Sequence, residues 1–226
     1  MKKIGIIGAG SIGQACAQLF TKTGYDVMLS NSRGKQTLYD VAYSIGCKVG
    51  SQHEAIAFGE VILIAIPFIN YTLLPADLLN NKIVFDAMNY YPDRDGHIEQ
   101  LDQYHITTTE MLADHLTHSR IVKVFNAILA KDIVKDAKPN DQQNRRAIPI
   151  ASNDDKAKQI AISILSHVGF DYVDAGALRD SWRFERAKPA YCIPFNTKGL
   201  IQALDKATRT EELPYNSWHS DVEKQN

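Results

Sequence analysis

The chain has 226 residues, 45% apolar and 23% charged, and its 25 basic and 26 acidic side chains leave a formal net charge of -1. That length holds one full-sized core, or one domain with a short appendage, but not two large domains. The near-neutral balance gives no electrostatic case for nucleic acid, and the apolar run from Val61 to Pro67 is far too short for a membrane span.

The N-terminus carries only two lysines before glycines interrupt it, so no signal peptide is expected. Lys2 to Ile7 is short, β-branched and continuously apolar, as a strand covered on both faces would be. From Ser11 the apolar positions Ile12, Cys16, Leu19 and Phe20 recur at helical spacing, with Gly24 placed for a left-handed cap. Tyr25 to Ser30 completes a βαβ unit. A helix over Thr37 to Ile45 follows, then a brief strand at Cys47 to Val49 and a helix opened by a Ser51-Gln-His-Glu54 capping box. Val61 to Ile66, Lys82 to Ala87 and Ile121 to Phe125 supply three more buried strands, making six.

The polar stretch Lys138 to Arg146 is expected to be an exposed loop. Ala147 to Ala151 and Asp171 to Asp174 are short strands flanking an amphipathic helix whose apolar face is Ala157, Ile160, Ala161, Ile164, Leu165 and Val168. Beyond Gly176 the pattern is helical and broken by prolines, and the stretch from Glu211 is polar enough to fray. The fold expected is α/β, a Rossmann-type doubly wound, mostly parallel sheet over residues 1–176, with a short helical appendage over 177–226. Tyr191, Ile193, Phe195, Leu200, Ile201 and Leu204 give that appendage more apolar surface than one isolated helix can hide, so it is expected to cover the site or to hold a homodimer together.

Gly8-Ala-Gly-Ser-Ile-Gly13 matches G-x-G-x-x-G directly between a predicted strand and a predicted helix, the context that gives the pattern its mechanism. Gly8 permits the turn, Gly10 lets a pyrophosphate approach the backbone, and Gly13 lets the helix pack on the strand. The free amides of Ser11, Ile12 and Gly13 and the positive end of the helix then face the phosphates. After the second strand, where an NAD-binding unit usually carries a carboxylate, the sequence has Ser30-Asn-Ser-Arg33. Arg33 can pair with a 2′-phosphate and stack on adenine, and Asn31 and Ser32 can donate to it, so the expected cofactor is NADP(H). Lys35 can add charge. The bland alternative is a solvated turn with an incidental arginine.

With these pieces in place the sequence resembles the NADP oxidoreductases that include the coenzyme F(420)-dependent enzymes, and also the cytosolic reductase domain of six-transmembrane ferric reductases. The landmarks are the glycine turn, Asn31-Ser-Arg33, Ala65-Ile-Pro67, Val122-Lys-Val-Phe-Asn-Ala127, and Asp174-Ala-Gly-Ala-Leu178 with Glu185. The resemblance implies a nicotinamide lying near Ile66, Pro67 and the Phe125-Asn126-Ala127 turn, with Asn89 on a loop facing the cofactor. Each of these residues also has a structural reading: Pro67 ends a strand, Phe125 fills core, and Asn126 caps the helix after it. Tyr90 and Tyr91 can wall a flat acceptor, although paired loop tyrosines more often pack on the surface.

Hydride transfer to a flavin-like ring needs no protein acid or base, so no catalytic residue is assigned, and a relay through His115 or His118 is the weaker alternative to solvated histidines. Cys16, Cys47 and Cys192 form no C-x-x-C pair, no metal site is expected, and a reducing cytoplasm suits them. The expected partner is a small redox acceptor: a flavin-like ring or deazaflavin, with a ferric chelate or quinone ranked lower. Two rivals stand beside this activity. One is a pyrroline-5-carboxylate reductase-like imine or ketone reductase, against which the short C-terminal segment counts; the other is a non-catalytic NADP(H) sensor.

Overall fold

A computed structural model describes residues 2–141 and 143–214. Trp218 and His219 of the C-terminal stretch therefore lie outside the described residues. In chain order the elements are β1 (Lys3–Ile7), α1 (Ser11–Lys22), β2 (Asp26–Ser30), a 3-10 helix (Lys35–Leu38), α2 (Tyr39–Ile45), β3 (Lys48–Val49), α3 (Gln52–Phe58) and β4 (Val61–Ile64). There follow a 3-10 helix (Phe68–Leu73), α4 (Ala76–Leu79), β5 (Ile83–Asp86), α5 (Pro92–Asp95), α6 (Glu99–Asp102), α7 (Thr108–His115) and β6 (Arg120–Lys123). The remainder is α8 (Ala130–Lys135), β7 (Ala147–Ile150), α9 (Asp155–Val168), β8 (Asp171–Asp174), a 3-10 helix (Leu178–Phe184) and α10 (Thr197–Asp205).

Six strands form one parallel sheet in the order β3-β2-β1-β4-β5-β6, so the chain reverses direction across the sheet between β1 and β4. Alternate residues of the strands feed two cores, because successive side chains leave opposite faces. Ile4, Ile6, Leu63, Phe85 and Val122 pack with Phe20 of α1 and Leu165 of α9 on one side. Ile7, Ile62, Ile64, Val84 and Ile121 pack with Ile56 of α3 and Leu112 of α7 on the other. This double coverage is why these runs read as continuously apolar. The strands beginning at Val61, Ile83 and Arg120 end before Ala65, Ala87 and Val124, earlier than the apolar runs do. The residues just past each strand end instead turn into loops.

The α3 capping box is present, with Ser51 and Glu54 bonded reciprocally. Gly169, at φ 99°, closes α9 in the left-handed conformation. β7 and β8 pair with each other in parallel and join the large sheet through a single antiparallel bridge between Lys123 and Ala151. The end of the Lys138–Arg146 loop departs from expectation. Residues 143 and 144 are exposed, but Arg145 and Arg146 are buried. Arg145 donates to the carbonyls of Ser166 and Pro139 at 3.0 Å each, which ties the loop to the end of α9.

The segment after Gly176 also differs from an apolar face awaiting a partner. Phe184, Tyr191, Cys192, Leu200 and Leu204 are buried in a third core against Ala127, Ala147, Ala151 and Ala175, with Ile193 and Phe195 partly covered. Of the six apolar residues that suggested a subunit contact, only Ile201 stays exposed, at 45%.

Candidate functional site

The turn between β1 and α1 is built around three glycines with different jobs. Gly8 sits at φ +106°, and a Cβ there would lie 2.3 Å from the carbonyl oxygen of Ala65. A Cβ on Gly13 would lie 1.9 Å from the Gly8 oxygen, so α1 can approach β1 only with glycine at this position. Gly10 precedes α1 with φ -76° and ψ -174°, extended backbone open to any residue, and a Cβ there meets nothing within 4 Å. The space above Gly10 is thus open toward the cleft, and the first-turn amides of Ser11, Ile12 and Gly13 have no intrahelical acceptor. Together they form an anion cradle that fits a pyrophosphate.

At the end of β2, Ser30 Oγ donates to the Ile6 carbonyl at 2.8 Å, fixing where the chain leaves the sheet. The next residues form a prearranged turn. The Arg33 amide donates to Asn31 Oδ1 at 3.1 Å, Asn31 Nδ2 donates to Thr37 Oγ1 at 2.8 Å, and Thr37 Oγ1 donates to the Gly34 carbonyl at 2.8 Å. The Asn31 amide is therefore engaged in holding the loop, while Arg33 is exposed. Lys35 is tied to Glu54, Nζ to Oε1 at 2.6 Å. That contact, with bonds from the Ser51 amide and hydroxyl, brings the Glu54 carboxyl down to about 2.

A cavity of about 520 Å³ runs along these groups. Its walls include Gly8, Gly10, Asn31, Ser32, Arg33, Ile66 and Pro67, and also Gln52, Asn70, Leu73 and Leu74. The volume lies within the range of small-molecule clefts, and the position, outside the carboxyl ends of β1, β2 and β4 where strand order reverses, is where open α/β sheets bind ligands. Asn70 and Leu73 were not legible as lining residues, since nothing in the pattern fixes how the loop after β4 folds back, and Gln52, which opens α3, reaches the cleft only through the order of the strands. The Phe68–Tyr71 stack, 4.9 Å between centroids, and the bond between His115 Nε2 and the Leu74 carbonyl at 2.9 Å set that path. His115 is therefore engaged with the backbone.

Asn89, Asn126 and Ala127 lie outside the walls of this cavity. Asn89 Nδ2 donates to the Asn126 carbonyl at 2.8 Å, and Asn126 Nδ2 donates to Asn89 Oδ1 at 3.1 Å and to the Phe184 carbonyl at 3.0 Å. The pair staples the loops after β5 and β6 together. Asn126 is 2% exposed, and its Oδ1 has no hydrogen-bond partner among the described residues. It does not cap the following helix, whose N-cap is Leu129. Phe125, at φ +63°, turns its ring into the core against Phe20 and Phe170, 5.8 and 6.4 Å away. Its structural reading holds. The Ala127 carbonyl accepts the Cys192 amide at 3.2 Å.

A buried charge network just below these loops escaped the sequence. Asp86 and Lys123 end adjacent strands in register, and both side chains are 0% exposed. Lys123 Nζ donates to Asp86 Oδ2 at 3.0 Å, to the Met88 carbonyl at 2.6 Å and to Thr108 Oγ1 at 3.0 Å. Thr108 Oγ1 in turn donates to Glu185 Oε1 at 2.6 Å, and Thr109 Oγ1 donates to Asp86 Oδ2 at 2.8 Å. The only signal was one charge near the end of each apolar run, and pairing them requires knowing the register.

Sheet order and glycine turn together define a Rossmann-type α/β protein with a cleft at the carboxyl ends of its strands. Residues 3–90 match the family described as NADP oxidoreductase, coenzyme F420-dependent, so the resemblance read from the motifs is shown over that segment. A protein of Escherichia coli (strain K12) named YjhV is 27% identical over 73 residues, 32% of this chain, and the match spans about half of that relative, 53%. The hypothetical protein SMa0349 from Sinorhizobium meliloti superposes with a TM-score of 0.76 at 26% identity, covering 86% of this chain and 95% of that one. An F420-dependent NADP-reductase candidate from Arthrobacter sp. FB24 gives 0.65 at 19% identity, covering 79% of this chain and 86% of that one, and shares the fold. Among the described residues no cluster of three or more His, Cys, Asp or Glu can hold a metal, and no helix is long and apolar enough to cross a membrane.

Proposed function

We propose that the chain binds NADP(H) along the cleft and passes hydride between it and a flavin-like or other small redox acceptor. One observation carries this reading: a single cavity is walled at once by the phosphate-turn glycines Gly8 and Gly10 and by Arg33, with no carboxylate among its lining residues. A carboxylate there would repel a 2′-phosphate, whereas a guanidinium on a prearranged turn receives it with charge-assisted bonds. In this assignment Gly8, Gly10 and the amides of Ser11, Ile12 and Gly13 hold the bridging phosphates. Asn31 shapes the loop from which Ser32 and Arg33 meet the 2′-phosphate.

Ile66 and Pro67 line the cleft toward the nicotinamide end. Asn89, Asn126 and Ala127 shape that end from behind, through the bonds that join the loops after β5 and β6. The bound cofactor supplies the hydride. The chain's own contribution is to bind, orient and exclude water, and no acid or base is assigned. We further propose a two-part organisation, 1–176 and 177–226, with a homodimer as the assembly and a reducing cytoplasm as the setting for three free cysteines.

The test is the ratio of NADPH to NADH affinity in wild type and Arg33→Ala. A charged hydrogen bond contributes about 1.5–3 kcal/mol, and exposure favours the lower end, so NADPH affinity should fall about tenfold with NADH affinity nearly unchanged. An unchanged ratio removes Arg33 from the 2′-phosphate site.

A further inference from the structure

The strand order lays the loops that wall the cofactor cleft out in a row. Across β3-β2-β1-β4 they carry, in turn, Gln52, Arg33, the turn of Gly8 and Gly10, and Ile66 with Pro67, and all of these line the one cavity. The cofactor reading above occupies three of the four places: nicotinamide beside Ile66 and Pro67, bridging phosphates at the glycine turn, and the 2′-phosphate at Arg33. Gln52, at the far end of the row, has no part in it. The base of the adenosine half, carried by the ribose that bears the 2′-phosphate, is likewise without a partner.

The polar side chains next to Gln52 are committed elsewhere. Ser30 Oγ is bonded to the Ile6 carbonyl, Asn31 spends its oxygen on the Arg33 amide and its nitrogen on Thr37, and Lys35 is tied to Glu54. Ser51 and Glu54 are bonded to each other in the capping box of α3. The residue between them, Gln52, is half-buried, and its side-chain amide has no hydrogen-bond partner among the described residues. β3 pairs with β2 through Leu29 and Val49, and the Gly50 amide donates to the Leu29 carbonyl at 3.0 Å, so the loop that carries Gln52 leaves the sheet beside the loop that carries Arg33.

A primary amide matches the edge of adenine. It sets one donor beside one acceptor, and adenine presents the converse, a ring nitrogen beside the N–H of its 6-amino group. A carboxylate in the same place would offer acceptors only and would repel the 2′-phosphate. We propose that Gln52 reads the adenine edge of the cofactor, its Nε2 donating to a ring nitrogen and its Oε1 accepting from the 6-amino group. The cleft then selects the base as well as the 2′-phosphate. This assignment rests on the cofactor reading above and adds to it the side chain that sets base specificity.

The probe is 1,N6-etheno-NADP, whose etheno bridge removes the N–H bonds of the 6-amino group and blocks the adjacent ring nitrogen while leaving the phosphates and nicotinamide unchanged. In calorimetric titrations the wild-type protein should bind oxidised NADP about tenfold more tightly than this analogue. Gln52→Met keeps the length and bulk of the side chain but removes the amide. It should weaken NADP binding about tenfold, leave the Kd of the etheno analogue nearly unchanged, and leave the ratio of NADP to NAD affinity as in wild type, since that ratio belongs to Arg33. Urea unfolding of the variant checks that its fold is intact. Equal wild-type affinity for NADP and the analogue, a preference that survives Gln52→Met, or one that disappears in Asn70→Leu instead overturns the role of Gln52 and leaves the cofactor reading standing. Binding of neither compound by the wild-type protein removes both.

Discussion

Gly10 and Gly13 lie three residues apart in one motif, yet alanine at each should fail in opposite ways. At Gly13 the new Cβ would sit 1.9 Å from the Gly8 carbonyl oxygen, backbone against backbone, so α1 must move off β1. Overpacking of this kind costs about 3 kcal/mol or more, a large part of the stability of a domain this size. At Gly10 the Cβ meets nothing within 4 Å and φ is -76°, so the fold tolerates it. The unfolded chain also loses freedom, which offsets the poorer N-cap to within about 1 kcal/mol. That methyl group occupies the space where the pyrophosphate approaches the backbone, and losing one or two charge-assisted bonds there weakens NADPH binding about 30-fold or more. Urea unfolding and calorimetric NADPH titration of both variants separate the effects. Gly10→Ala with wild-type affinity, or Gly13→Ala with wild-type stability, refutes the assignment of the turn.

Glu54→Gln removes a carboxylate whose folded pKa is depressed from 4.5 to about 2, chiefly by its hydrogen bond from Lys35. A depressed pKa stabilises the fold above the unfolded value, so the wild-type advantage should be constant above about pH 5 and shrink as pH falls from 4.5 toward 2, which urea titrations across pH will show. Lys123→Met leaves Asp86 buried without its counter-charge and should cost about 3–5 kcal/mol by urea unfolding; a change under 1 kcal/mol would mean the pair is not buried as described. Truncation after Ala177 strips Phe184, Tyr191, Leu200 and Leu204 from the third core and should lower stability sharply, and light scattering of the full and truncated chains tests whether the segment also joins subunits.

The doubly wound sheet was legible because its signals are local. Continuous apolar runs at Ile4–Ile7 and Val61–Ile64, the capping box at Ser51, and glycines at 8, 10 and 13 each act within a few residues. Features set by distant partners were not legible. Arg145 and Arg146 read as part of a polar loop because their backbone and carboxylate partners lie on other elements. The apolar residues near the C-terminus suggested a second subunit because the small side chains that cover them, Ala127, Ala147, Ala151 and Ala175, come from earlier in the chain. At the site, the glycine turn and the loop of Arg33, which line one cleft, follow from local sequence, but the wall after β4 and the Asp86–Lys123 pair depend on loop path and strand register.

Calorimetric titration of the wild-type protein with NADPH and, in parallel, NADH bears most directly on the central claim that the cleft holds a dinucleotide with a 2′-phosphate. One NADPH should bind per chain, at least about tenfold more tightly than NADH, with the gap narrowing as salt is raised because the deciding contact is ionic and exposed. Equal affinity for the two, or no heat from either, contradicts it.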